Sequence, residues 1–250
     1  MIDIHTHILP GIDDGAKTSD ESIKLLETLG EQGVKKVVFT PHYYGRNRSV
    51  SRFLKLRDEA FEKIKDYHGG ISVLKGCECN LATCANTDFA ELKSLAIEGT
   101  RYILTELSFE NKWDNRLFSK LNGLLDTGLI PVVAHAELYP AVQHKPELVH
   151  QLISTGCLIQ VNCDSFADKR IFPLVKALIN HAQVHCLGSD THNLHTRFPK
   201  YGAAAEKIIQ EFGQATMDSL QDAMDKILAD RQVEIKPSTP VKRSLLGKYA

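Results

Sequence analysis

Met1-Ile2-Asp3-Ile4-His5-Thr6-His7, the opening stretch, is a short apolar run closing on two histidines one residue apart. In a strand successive side chains alternate faces, so His5 and His7 point to the same side, about 7 Å apart. Two imidazoles so placed hold one metal ion from a rigid backbone. The arrangement recurs down the chain. His42 closes Val37-Val38-Phe39-Thr40-Pro41, His135 closes Pro131-Val132-Val133-Ala134, and Asp190-Thr191-His192 follows Gly188-Ser189. Glu78 and Glu106 lie inside strand-like runs, where a lone anion is costly to bury and a metal is the simplest compensation. Asp13-Asp14-Gly15 reads as a turn, with Asp14 on the first strand-to-helix loop in reach of the same metal. Asp3 shares the parity of His5 one step deeper and reads as a partner orienting an imidazole.

Working outward, seven apolar runs read as strands: 2–7, 34–42, 71–80, 102–107, 130–137, 157–162 and 184–190. Several are rich in Val and Ile, as parallel strands buried on both faces are. Thr18-Ser19-Asp20-Glu21 reads as a capping box, with Ile23, Leu26 and Leu29 on one helix face and Gly33 as a stop. Phe53, Leu56, Ala60 and Ile64 make a second stripe, and further helices are expected near 86–97, 115–127, 146–155, 168–182 and 201–212. Strands alternating with helices imply a parallel sheet. No Gly-x-Gly-x-x-Gly follows the first strand, so the dinucleotide fingerprint is missing. Ligand-type residues end all but one of the strands, which is natural if those ends converge on one mouth. The expected fold is α/β: a distorted seven-stranded, TIM-barrel-like (β/α)7 barrel over residues 1–230. One more helix (Met217, Leu220, Met224, Ile227, Leu228) leads to the end of that barrel. Residues 231–250, polar and proline-bearing, read as a packed-on or frayed extension.

At 250 residues the chain is long enough for one large α/β domain, and its net charge of −1 gives no global field toward nucleic acid or anionic membrane. No stretch of 18 apolar residues argues for a spanning helix, and no signal-peptide pattern precedes the histidine strand, so a cytoplasmic location without membrane insertion is expected. Six cysteines do not make a disulfide scaffold. Cys77 and Cys79 flank Glu78, so strand alternation sends them to the helix-facing layer as small hydrophobes. His68, His144, His150 and His181 lie in or beside polar helices or loops and read as structural or surface groups. His185, near the start of the seventh strand, is at the wrong end of the barrel.

His5, His7, His42, His135 and His192 with Asp14, Glu78, Glu106 and Asp190 are too many ligands for one ion. Shared through bridging carboxylates they suit two or three divalent ions, with positions left for water and substrate. Three such ions against four carboxylates leave the centre positive, which suits a phosphate dianion.

In this order and spacing the residues resemble the PHP (polymerase and histidinol phosphatase) superfamily. Met1 to His7, Asp13-Asp14-Gly15, Thr40-Pro41-His42, Gly76-Cys77-Glu78, Leu104-Thr105-Glu106, Ala134-His135, Gln160-Val161-Asn162 and Ser189-Asp190-Thr191-His192-Asn193-Leu194 look most like its bacterial protein-tyrosine phosphatase branch. That branch accompanies capsular and exopolysaccharide biosynthesis. The resemblance implies a trinuclear centre, most often manganese-supported, with iron, zinc or magnesium as alternatives. It also implies a tyrosine-phosphorylated protein substrate such as a bacterial tyrosine kinase. Arg197, in His195-Thr196-Arg197, matches a phosphate-binding arginine of the branch and is its expected catalytic cation. A second arginine, three residues after the match to His135, is replaced by Leu138; Arg46, Arg48 and Lys145 are the neighbouring cations that could compensate. A homo-oligomer is compatible with this reading.

The expected activity is metal-dependent phosphotyrosine hydrolysis with in-line attack by an activated water. No cysteine nucleophile is expected, because Cys163 is followed at 169 by lysine and the Cys-x5-Arg loop is absent. The rivals are a small-molecule phosphatase for histidinol phosphate or a sugar phosphate, and a non-catalytic metal-containing interaction protein. A nuclease lacks its basic strip.

Overall fold

The computed structural model describes residues 1–250 apart from 67–68, 85–86 and 245–246. The first strand, β1 (Ile2–Thr6), is buried along its whole length, so the histidine strand lies in the core. Helix α1 (Ser19–Glu31) follows. Thr18 Oγ1 accepts from Glu21 N, and the Glu21 carboxylate accepts from Lys17 N, one residue before the cap. Such a cap stabilises a helix start by about 1 kcal/mol. Ser22, Leu25, Leu26 and Leu29 form the buried face; Ile23, expected on it, lies at the margin.

Residues 34–42 and 71–80 do not make two unbroken strands. Each is split, giving β2 (Lys36–Phe39) and β3 (His42–Tyr43), then β4 (Ser72–Lys75) and β5 (Glu78–Asn80), with α2 (Val50–Glu62) between them. The breaks fall at Pro41, which has no N–H to give, and at Gly76-Cys77. The chains stay paired across the gap, since Gly76 N donates to Phe39 O and Glu78 N to Pro41 O. Then come β6 (Tyr102–Glu106), α3 (Asn115–Asp126), β7 (Ile130–Val133), α4 (Pro140–His144), α5 (Glu147–Thr155), β8 (Leu158–Asn162), α6 (Phe172–Asn180), β9 (Cys186–Gly188), α7 (Tyr201–Phe212) and α8 (Gln214–Leu228). Nine strand segments therefore stand, among the described residues, where seven strands were expected. The helix expected near 86–97 is also not formed. Residue 86 lies outside the described residues, and the rest is turn followed by a 3-10 segment, Glu91–Leu95.

Every pairing between these strands is parallel, in the orders β1-β2-β4 and β3-β5-β6-β7-β8-β9. The fold is thus α/β with a curled parallel sheet. The curl brings the chain after β9 against β1: Asp190 N donates to His5 O, and His7 N donates to Thr191 O. Close packing there requires Gly188, because a Cβ on it would lie 2.5 Å from the His5 Cβ. The six cysteines are free and buried, Cys77 and Cys79 among the helix-facing apolar side chains as strand parity required. Burial raises the Cys157 thiol to about 12.

The tail after α8 lies against the body. Tyr102 donates to Arg231 O, His150 meets Ser238, Gln183 donates to Thr239 O and Tyr249 donates to Gln143 O. His181 also meets Thr239 of the tail and His144 bonds locally to Pro140 O, structural contacts as expected; His68 lies outside the described residues. No described helix is long and apolar enough to cross a membrane.

Candidate metal centre

All nine expected ligands converge at the C-terminal ends of the strands. His5 lies in β1 and His7 just after it, His42 and Glu78 open β3 and β5 beyond the breaks in their runs, Glu106 closes β6, His135 follows β7, Asp190 and His192 lie in the segment after β9, and Asp14 is on the first loop. Their side-chain atoms form three overlapping groups with metal-ligand spacing: His7, Asp14, His42 and His192; His5, His7 and Asp190; His42, Glu78 and Glu106. His135 joins through Glu78, its Nε2 lying 2.8 Å from Oε1 and 3.9 Å from Glu106 Oε1.

Ring orientation shows the charge that this cluster calls for. The amide of Gln160 is fixed because its Oε1 accepts from His135 N at 2.9 Å and its Nε2 donates to Asn162 Oδ1 at 2.9 Å. His5 Nδ1, 3.0 Å from that Oε1, must therefore be the protonated nitrogen. His7 Nδ1 likewise donates to the Asp13 carboxylate at 2.8 Å. In the neutral rings both Nε2 atoms then carry lone pairs, yet they face each other at 3.1 Å. Around them stand Glu78 Oε2, at 3.5 and 3.3 Å, and Asp190 Oδ1, at 3.4 and 3.5 Å. Glu78 Oε2 and His42 Nδ1, 2.8 Å apart, are buried without a hydrogen-bond partner. Lone pairs and anions converging in a buried site require positive charge between them. A divalent cation fits this donor set of imidazole nitrogens and carboxylate oxygens.

The electrostatics show the same demand for positive charge, which a proton on the His7 or His135 ring meets where no ion does. Burial alone would lower His7, but hydrogen bonds to Asp13 and Glu78 outweigh it and raise the ring to about 10. In His135 burial is likewise outweighed by Glu78, giving about 9. Asp190 is held below the usual carboxylate range despite burial, by His5, His7 and Arg197. Glu106 is raised by burial and by Glu78 beside it. His192 is lowered to about 3 by burial and the charge on His7, so it stays neutral. Its Nδ1 is directed at Asp190 O, 2.9 Å away, which leaves Nε2 as the donor atom.

Two of the expected ligands have left-handed backbones, His135 at φ 34° and Asp190 at φ 51°. Such positions cost about 1–3 kcal/mol each and persist where the surroundings fix them. Here the Gln160 side chain and the His5 carbonyl hold the two amides.

One expectation is corrected. Asp3 does not orient an imidazole: its Oδ1 accepts from His5 N and Ser189 N, so it clamps backbone, and burial raises it to about 6. Gln160 and Asp13 orient the rings instead. Asp13, a turn residue by sequence, also accepts from Gly15 N and His42 N. Gly15 is the signal that could have shown this, since a Cβ there would lie 2.0 Å from His7 O and only glycine lets the loop lie on the ligand strand. Asn80 and Asn162, donating to Glu106 and Asp190, were also not distinguished.

Arg197 reaches the cluster, with Nη2 donating to Asp190 Oδ2 at 2.6 Å and Nη1 lying 2.8 Å from His192 Nε2. Leu138 shares with it a cavity of about 290 Å3 beside the ligands. Arg48 instead lines a cleft with Ile12 and Leu56, and Lys145 one with Trp113 and Leu148.

Fold and site together define a protein that gathers histidines and carboxylates at the C-terminal edge of a curled parallel sheet. The family model for capsular polysaccharide synthesis, CpsB/CapC, matches residues 1–228, and the chain belongs to that family. It is 29% identical to the tyrosine-protein phosphatase YwqE of Bacillus subtilis, covering 98% of each chain. With the tyrosine-protein phosphatase CpsB of Streptococcus pneumoniae it shares 29% identity over 93% of this chain and all of that one. The crystal structures of YwqE and CpsB, described as metal-dependent tyrosine phosphatases, include a chain that superposes with a TM-score of 0.82 at 28% identity, covering 97% of this chain and 100% of that one. A phosphotriesterase homology protein from Escherichia coli shares the fold, with a TM-score of 0.57 at 13% identity, over 91% of this chain and 98% of that one.

Proposed function

We propose that this protein is a metal-dependent phosphatase that hydrolyses phosphotyrosine on proteins, its substrate a bacterial tyrosine kinase of capsular or exopolysaccharide synthesis. The observation that carries this reading is the pair of Nε2 lone pairs on His5 and His7, set among Glu78 and Asp190. Family membership supplies the substrate class. His5, His7, Asp14, His42, Glu78, Glu106, His135, Asp190 and His192 would hold two or three divalent ions, with manganese the first choice. Such ions bring a coordinated water toward neutral pKa and bind phosphoryl oxygens.

The chain's own groups do the remaining work. Asp13 and Gln160 keep His5 and His7 in the tautomer that presents Nε2. Asn80 and Asn162 aim the Glu106 and Asp190 carboxylates. Arg197, on a loop at the mouth, has five N–H groups, and those not directed at Asp190 and His192 would bind the phosphoryl oxygens that do not react. With the split runs counted as single positions, the sheet is read as a distorted seven-stranded barrel. All its elements end by Leu228, which supports 1–230 as the catalytic unit and 231–250 as an extension. A cytoplasmic location fits a kinase substrate.

The test is to assay phosphotyrosine peptide, histidinol phosphate and p-nitrophenyl phosphate side by side with manganese, after chelation, and after thiol alkylation of the native protein. Turnover of the peptide that needs metal and survives alkylation supports the reading. Preference for histidinol phosphate, turnover unaffected by chelation, or no turnover at all overturns it.

A further inference from the structure

Phe109 is an exposed phenylalanine beside the metal centre, with half of its surface open to solvent. It lies three residues beyond Glu106, and its ring centroid is 5.6 Å from that of His135 and 4.8 Å from that of Tyr139. An apolar ring left open at the mouth of a highly polar site is unfavourable in water, and here it is held there by its surroundings. Leu107 N donates to the Tyr139 hydroxyl at 2.8 Å, and Trp113 Nε1 donates to Ser108 O at 2.8 Å. Trp113 also packs edge-on against Tyr139 at 5.2 Å. The residues on both sides of Ser108-Phe109 are thus tied to one buried aromatic, which fixes one side of the Phe109 ring and leaves the other free. On another side of the cluster Tyr44 stacks on His42 at 5.3 Å, so aromatic rings rest on two of the ligand histidines.

We infer that Phe109 is a specificity-determining residue, a fixed platform for the aryl ring of a phosphorylated tyrosine whose phosphoryl group lies at the metal ligands. This deepens the phosphatase reading and rests on it. The phosphoryl group is common to all phosphate monoesters, so the ligand cluster cannot by itself tell tyrosine from serine. An aromatic surface beside His135 can, because offset or edge-on ring contact is available to an aryl ester and not to an alkyl one. The platform costs little to order on binding, since the loop is already tied down.

Phenylphosphonate and methylphosphonate, which share the anionic head and differ in the ring, separate the two contributions. Their binding to the manganese-loaded protein is measured by calorimetry for the parent, Phe109→Ala and Phe109→Trp, alongside KM and kcat for a phosphotyrosine peptide. The parent is expected to prefer phenylphosphonate. Phe109→Ala should lose about tenfold on it and less than twofold on methylphosphonate, with peptide KM rising about tenfold and kcat within twofold. Phe109→Trp should restore the preference. Equal losses on both phosphonates, or no loss on either, overturn the platform while leaving the phosphatase reading intact. A parent protein that binds both phosphonates yet turns over no phosphotyrosine overturns both.

Discussion

Replacing Asp13 by asparagine removes one charge and little volume, from a residue that touches no substrate in the proposed mechanism. Its carboxylate accepts three N–H groups: Gly15 N at 2.9 Å on one oxygen, and His7 Nδ1 at 2.8 Å with His42 N at 3.0 Å on the other. An amide has one oxygen, so either orientation sets N–H against N–H. With the oxygen toward His7 and His42, only Gly15 N is orphaned, at about 1–3 kcal/mol. The opposite orientation orphans His42 N and also either sets His7 Nδ1–H against an N–H or drives His7 to the tautomer with Nε2 protonated, which cannot ligate. The first orientation is therefore favoured, and the ring keeps its geometry but loses a charged acceptor. Loss of such a partner lowers metal affinity by roughly 10- to 100-fold. The assay is calorimetric titration of metal-free protein with manganese, together with turnover as a function of manganese concentration. The expected result is a manganese Kd weakened by that factor, with turnover recovering to within a few-fold of the parent at saturating metal. Parental affinity in a folded Asp13→Asn protein would refute the tautomer argument.

Glu106→Gln should abolish turnover while leaving the metal-free protein as stable as its parent or slightly more so, because the Glu78 repulsion that raises Glu106 is relieved; parental metal content and turnover would remove Glu106 from the ligand set. Arg197→Ala should lower kcat/KM by roughly a hundredfold, about 3 kcal/mol. Leu138→Arg, in the same cavity, should raise it, and the double mutant should be non-additive; strictly additive effects would mean that the two side chains do not share a phosphate. His185 accepts from Ile159 N, and burial lowers it from 6.5 to about 4. The unfolded chain takes up this proton first, so the stability is whole above pH 6.5 and is lost as pH falls toward 4, by about 3 kcal/mol. His185→Asn keeps an acceptor that does not titrate, and metal-free unfolding from pH 7 to 4 should lose that much less stability than the parent; parallel pH profiles would refute it.

The convergence of the candidate ligands was legible in the sequence because strand parity and position are local properties. A histidine or carboxylate in or at the end of an apolar run points where alternation sends it, and eight such residues, joined by Asp14 from the first loop, share one destination only if the sheet is parallel and curled. For the same reason Cys77 and Cys79 were readable as helix-facing. Long-range partners were not legible. Asp13 resembles any Asp-Asp-Gly turn until His7 is seen above it, and Gln160 resembles any buried polar residue of a strand until the sheet curls it between His5 and His135. Asp3 has the right parity for a ligand partner, yet the approach of Ser189 turns it to backbone. The splits at Pro41 and Gly76 were visible as residue types but read as strand interior, since whether a run stays continuous depends on neighbours it does not contain. The sequence by itself thus determined which groups gather and which end of the sheet they occupy. Only the tertiary structure decided which ring nitrogen each histidine presents, because a proton is fixed by its hydrogen-bond partner, and those partners are up to 155 residues away.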